Sequence, residues 1–151
     1  MTETDDSVIY SESWQLIYSL ILANVTDPIT PARTKWIYAN FPDEAIEDMS
    51  YYPIITISNT KINNINIDTT DRNTKTFTTY NEITVYSRKS TELDSISGSI
   101  THTLNSNETY FGENAYFNIY TTTDNDQFTN ESGKRIHART IQLTMEKDIR
   151  Y

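Results

Sequence analysis

Apolar positions along this chain change their period several times. Tyr10, Trp14, Ile17, Tyr18 and Ile21 recur at three- and four-residue steps, which predicts an amphipathic helix from Val8 to about Asn24. A polar lead, residues 1 to 6, precedes it, and Asp6 or Ser7 is placed to cap it. Asp27-Pro28 and Thr30-Pro31 stop it and open a loop. Trp36-Ile37-Tyr38 predicts a short strand that ends at Phe41-Pro42. Asp43 to Met49 is one acidic helical turn or an irregular loop. Tyr51 to Ile57 predicts a stronger strand, with Pro53 near its start or on an edge because proline cannot donate to a ladder.

The stretch ITVYSRKSTELDSISGSITHTL, residues 83 to 104, holds the sharpest change. Ile83 and Val85 alternate with Thr84 and Tyr86, closing a strand from Thr76 to Ser87. Beyond Arg88-Lys89 the apolar positions become Leu93, Ile96, Ile100 and Leu104, which predicts a helix from Ser90 to Asn105. Ser90 or Thr91 can cap it, with Glu92 and Asp94 in its favourable first turn. Residues 58 to 75 are polar, with Ile62, Ile65 and Ile67 scattered through them, and predict a protruding hairpin or arm that supports little core. Ala115 to Thr121 predicts a strand, 122 to 134 a polar loop, and Arg135 to Met145 the last strand.

This order implies one α+β domain over 1–151: a mainly antiparallel sheet of about five strands, two amphipathic helices packed on it, and the polar hairpin. The chain has 151 residues, enough for a real core. Its hydrophobic share of 36% is low, yet 11 Tyr, 2 Trp and many Ile separate it from a disordered composition. The excess lies in Thr, which suits exposed strand faces, and Asn, which suits turns.

A net charge of −9 argues against a free-standing nucleic-acid binder, which needs a basic face. It leaves room for DNA in passing, because a repulsive wall lets DNA slide. The absence of Cys removes thiol catalysis, disulfides and thiolate metal sites. Only 3 Gly, at 98, 112 and 133, leave no glycine-rich phosphate loop. The start MTETDDSVIY has no charged-then-apolar signal region, and no apolar run reaches the roughly 18 residues of a membrane span. The expectation is a protein made in the cytoplasm that does not meet a membrane.

Candidate chemistry is sparse. His102 falls off the apolar stripe of its helix and has no acid or nucleophile beside it. Arg135, His137 and Arg139 share one face of the last strand with Ile141, Leu143 and Met145, so that face turns from cationic to apolar. It is either a strand end running out to solvent or a basic ridge meeting an acidic neighbour. Asp43, Glu44, Glu47 and Asp48 cluster on one turn, as a solvated acidic face or, less simply, a site for a hard cation. Asp124-Asn125-Asp126-Gln127-Phe128 starts like a calcium loop, but Phe128, Thr129 and Arg135 stand where oxygen, glycine and the last carboxylate are needed. Trp14, Trp36 and the tyrosines could stack on bases or sugars, although helical spacing favours the core for Tyr10, Trp14 and Tyr18.

The first helix, then WIYANFPDE leading to YYPIITI, then EITVYSRKSTELDSISGSITHTL and the closing RIHARTIQLTM, resemble the tail-terminator and tail-completion proteins of long-tailed bacteriophages. The resemblance spans nearly the whole chain as pattern. It implies a virion protein without active site or cofactor: a ring, commonly of six subunits, that caps the tail tube and offers a surface to the neck. Its partners would be further copies of itself, the tail-tube protein and neck or connector proteins, with DNA as passing cargo. On that basis Asp43, Glu44, Glu47 and Asp48 are candidates to line the lumen. Lys61 and Arg72 of the hairpin, with Arg135, His137 and Arg139, are candidates for subunit or partner contact. A neck or head-completion protein and a tail-tube subunit are rival readings within the virion. A small carbohydrate- or peptide-binding module using Trp36, Tyr51 and Tyr52 is a rival outside it.

Overall fold

The computed structural model describes residues 6–29, 33–66 and 74–150. In chain order the elements are α1 (Asp6–Asn24), β1 (Ile37–Tyr38), two 3-10 turns (Asp43–Ile46 and Met49–Tyr51), β2 (Ile54–Asn66), β3 (Thr74–Ser87), α2 (Ser90–Ser106), α3 (Glu108–Glu113), β4 (Tyr116–Thr129) and β5 (Arg135–Arg150). The five strands form one sheet in the order β1-β2-β3-β5-β4. Only β1 runs parallel to its neighbour; the other pairings are antiparallel. The α+β class and the mainly antiparallel sheet stand as expected.

Strand alternation gives the sheet two unlike faces. Ile55, Ile57, Ile83, Val85, Ile141, Leu143 and Met145 point to one side, where they meet Ile17, Leu20 and Ile21 of α1 and Leu93, Ile96, Ile100 and Leu104 of α2. These side chains are buried, each contributing about 1.5–3 kcal/mol. The other face carries no α-helix among the described residues. A small second core covers one end of it, where Tyr52, Ile54, Ile136 and Ala45 are buried beneath the 3-10 turns.

Several boundaries differ from those the pattern suggests. Residues 122 to 129 are not loop: β4 runs to Thr129 and pairs with β5 throughout. The connection is a five-residue turn closed by Gly133 N–H donating to Asn130 O at 2.9 Å and Lys134 N–H donating to Asn130 Oδ1 at 2.9 Å. Gly133, at φ 80, takes the left-handed conformation that a side chain resists. Tyr51 belongs to a 3-10 turn, not to a strand. Of the predicted hairpin or arm, residues 58–66 and 74–75 extend β2 and β3 as an antiparallel pair out to Asn66↔Lys75, and 67–73 lie outside the described residues. β2 extends to Asn66, and the start of β3 is clamped on its other side by β5, from Thr74↔Arg150 to Phe77↔Lys147. Phe77 is buried there.

A third helix, α3, was not expected. It seats Phe111 in the main core and ends on Ala115, whose φ of 67 makes a left-handed cap with its N–H bonded to Gly112 O at 3.0 Å.

Candidate functional site

The predicted basic ridge does not survive as one surface. Arg139 is drawn inward by alternation onto the helix-covered face. It pairs with Asp94 of α2 at 2.7 Å, donates to Ser97 Oγ at 2.8 Å and to Asn125 Oδ1 at 2.6 Å. Its charge is spent tying α2 to β4 and β5. His137 is half-buried and lines a cavity with Ser90 and Leu93 at the start of α2. Only Arg135 is exposed. Lys61 lies on β2 in register with Tyr80, just beyond a bulge. Arg72 lies outside the described residues.

A different cationic cluster forms instead. β3 hands over to α2 at Arg88-Lys89, and β5 begins at Arg135 beside Lys134. The register Ser87↔His137 brings these two chain ends together at one end of the sheet. All four side chains are exposed, and none joins an ion pair among the described residues. Sequence reasoning missed Arg88 and Lys89 as site residues, because their proximity to Arg135 depends on strand register.

The acidic group sits at the same end of the sheet, on the opposite face. The 3-10 turns lie over the helix-free side. Asn130 Nδ2 donates to Ile46 O at 3.1 Å, and Glu47 accepts from Glu131 N–H at 3.0 Å and Ser132 Oγ at 2.7 Å. Asp48 caps the second turn through Ser50 N–H and Oγ, and those bonds hold its carboxyl below the usual range. Asp43 and Glu44 are exposed and enter no ion pair among the described residues. Among the described residues no cluster of His, Asp and Glu could hold a metal ion.

Between the turns and the strands lies an aromatic cleft of about 380 Å³ lined by Phe41, Ile46, Tyr86, Phe128, Asp126 and Thr140. Phe41, Tyr86 and Phe128 meet edge to face, with centroids 4.8, 6.2 and 6.3 Å apart. Burial pushes the Tyr86 hydroxyl pKa up against the pull of hydrogen bonds with Thr56 and Thr84, and the carboxylates of Glu82 and Asp126 push the same way. Burial likewise raises Tyr52 to about 12 beneath the turns. Along the described strands this face carries Glu82, Asp126 and Glu146; the register also sets Lys61 opposite Tyr80 and Arg150 opposite Thr74, in the same alternation.

Side chains take backbone groups at both edges of the sheet. On β4, the N–H groups of Asn125 and Gln127 are taken by the carboxylates of Asp124 and Asp126, at 2.9 and 2.7 Å. On β2, Trp14 Nε1–H donates to Ile57 O at 2.8 Å, stopping the ladder beyond β1. Unpaired edge groups invite strand addition, and these side chains occupy them. The Asp-rich run that opens like a calcium loop is therefore strand, with its carboxylates turned on its own backbone. Replacing both Asp124 and Asp126 with Thr is expected to free this edge and to promote aggregation; light scattering at neutral pH against the wild type is the check. Unchanged solubility would show that the carboxylates do not protect the edge.

The stacking residues mostly serve the core. Trp36 is 5% exposed and Tyr52 is fully buried. Trp14 and Tyr18 stack on each other at 5.0 Å. Tyr51 alone of the sugar-binding trio keeps partial exposure. His102 is exposed on α2, and its side chain enters none of the described hydrogen bonds. No described helix is long and apolar enough to cross a membrane. The chain matches no known protein family and no curated protein.

Proposed function

We propose that this chain is a non-enzymatic structural subunit of a tailed-virus particle: a tail-terminator or tail-completion protein that forms a ring at the head-proximal end of the tail tube. The observation that carries this reading is the division of charge about the sheet. Four exposed cations, Arg88, Lys89, Lys134 and Arg135, gather at one end of the sheet, while Glu82, Asp126 and Glu146 lie along its helix-free face. Copies joined head to tail set unlike surfaces together, and a heterologous contact of that kind makes a ring when its rotation closes. A subunit built for two-fold pairing would instead need a self-complementary patch.

The β4 edge suits the wall of the DNA passage. From Thr122 to Gln127 its side chains are exposed, and they are hydroxyls, amides and the carboxylates of Asp124 and Asp126. Such a surface repels a phosphate backbone and offers it no cation. These two residues join Asp43, Glu44, Glu47 and Asp48 as candidates for the lumen. In this reading the chain works in the virion, with the tail-tube and neck proteins as partners.

The sugar- or peptide-binding alternative loses Trp36 and Tyr52 to the core. A neck protein or a tube subunit remains the rival, and particle shape separates them. Light scattering with negative-stain imaging is expected to give closed rings near six subunits, alone or once tail tubes are added. Long tubes would identify a tube subunit. A chain that stays monomeric and ignores tail tubes would overturn the terminator reading.

A further inference from the structure

The cleft between Phe41, Ile46, Tyr86 and Phe128 opens on the helix-free side of the sheet. Its floor is aromatic and its lip is apolar, with Ile46 40% exposed. Asp126 lines it, and Asp43 and Glu44 stand on the 3-10 turn that forms its roof. A pocket of ring faces edged by carboxylates suits a long cationic side chain: the alkyl stem packs on the rings, the head takes cation–π attraction, and the carboxylates supply the counter-charge. An anionic or purely apolar occupant would leave the carboxylates unanswered.

We propose that this cleft receives the cationic end of a second copy of the chain, formed by Arg88, Lys89 and Arg135. This deepens the ring reading and rests on it: it names the two surfaces that build the subunit contact, and moves Asp43, Glu44 and Asp126 from lumen lining to that contact. Charge complementarity selects the occupant. Arg88, Lys89 and Arg135 are exposed and outside every ion pair among the described residues, whereas Arg139 and Lys147 are already paired, with Asp94 and Glu12.

Placement supports the same contact. Cleft and cationic cluster lie at the same end of the sheet: Phe128 pairs with Ile136, next to Arg135, and Tyr86 precedes Ser87 and Arg88. Arg135 lies on the opposite side of it, since it alternates with Ile136. A contact joining them relates neighbours with little displacement along the strands. A heterologous contact makes a ring when its rotation closes and a helix when it does not.

The test is a charge swap read by light scattering. One variant carries Arg88→Glu and Arg135→Glu; the other carries Asp43→Lys and Glu44→Lys. All four positions are exposed, and circular dichroism checks that both variants fold. Each variant alone is expected to lose assembly by tenfold or more. Their equimolar mixture is expected to regain it, because every contact then joins opposite charges again, in alternation around an even-numbered ring. Ile46→Ser is expected to weaken assembly several-fold without lowering the melting temperature. If the wild type forms rings but both charge variants assemble as it does, or the mixture is not rescued, the contact lies elsewhere and the ring reading stands. If the wild type never self-associates, with or without tail tubes, both fall.

Discussion

Replacing Arg33 with Met is expected to destabilise the fold by about 1–3 kcal/mol, the cost of leaving the acceptors of a half-buried ion pair without their donor. Arg33 joins the loop after α1 to the turn before β2. Its guanidinium holds Asp27 through two bonds, at 2.8 and 2.9 Å, and donates to the carbonyls of Tyr51 and Pro53. The Asp27 side chain is only 6% exposed, so the variant leaves a carboxylate without its cation and two carbonyls without a donor. Burial by itself raises the Asp27 pKa. The bonds from Arg33, with the N–H of Ile29 at 3.1 Å, outweigh burial and hold it below the ordinary carboxylate value.

The sign of the pH dependence follows. A carboxyl whose folded pKa is depressed contributes stability above its unfolded value, about 3.9, and loses that contribution as pH falls through the folded value. Urea midpoints of the wild type should therefore drop below about pH 4, and the drop should be shallower in Asp27→Asn. Equal slopes in the two proteins would show that Asp27 is not part of the acid response.

Removing the Phe111 ring, as Phe111→Ala, is expected to cost about 3–5 kcal/mol. Phe111 is fully buried and is the only buried residue of the six-residue helix α3. Its ring meets Tyr110 edge to face at 5.5 Å. Tyr110 also donates its hydroxyl to Leu16 O at 3.4 Å, so the pair binds α3 to α1. A helix this short has little stability of its own and stands on that anchor. Chemical denaturation gives the size of the loss. A loss under about 1 kcal/mol would mean that the site collapses around the missing ring, leaving no cavity.

The rings and ion pairs behind these expectations differ in how visible they are along the chain. The two long helices were legible because each buries one stripe. Leu93, Ile96, Ile100 and Leu104 are all buried, at the spacing the sequence shows. The strand of Ile83 and Val85 was legible because one of its faces is covered and the other is not. Asp27 and Arg33, six residues apart in a proline-bearing loop, carry no periodic signal, and only the fold brings Tyr51 and Pro53 to them.

What the sequence by itself determined is therefore the class of the protein. Hydrophobic period marked the covered faces, and composition removed thiol, phosphate-loop and strongly basic chemistry. The tertiary structure alone decided the rest. Residues 122 to 129 show no alternation because β4 is an edge strand that no helix covers; they are strand only because β5 pairs with them. Phe111 stands in a polar stretch with no period, and its burial depends on the gap beside the core. Arg139 and Arg135 look equivalent two residues apart. Helix α2 lies over the first and stops short of the second, so one is a tie within the fold and the other is free to meet a partner. Period along the chain reports which face is covered, whereas the partner that covers it, and the charges left uncovered, depend on contacts between residues far apart in sequence.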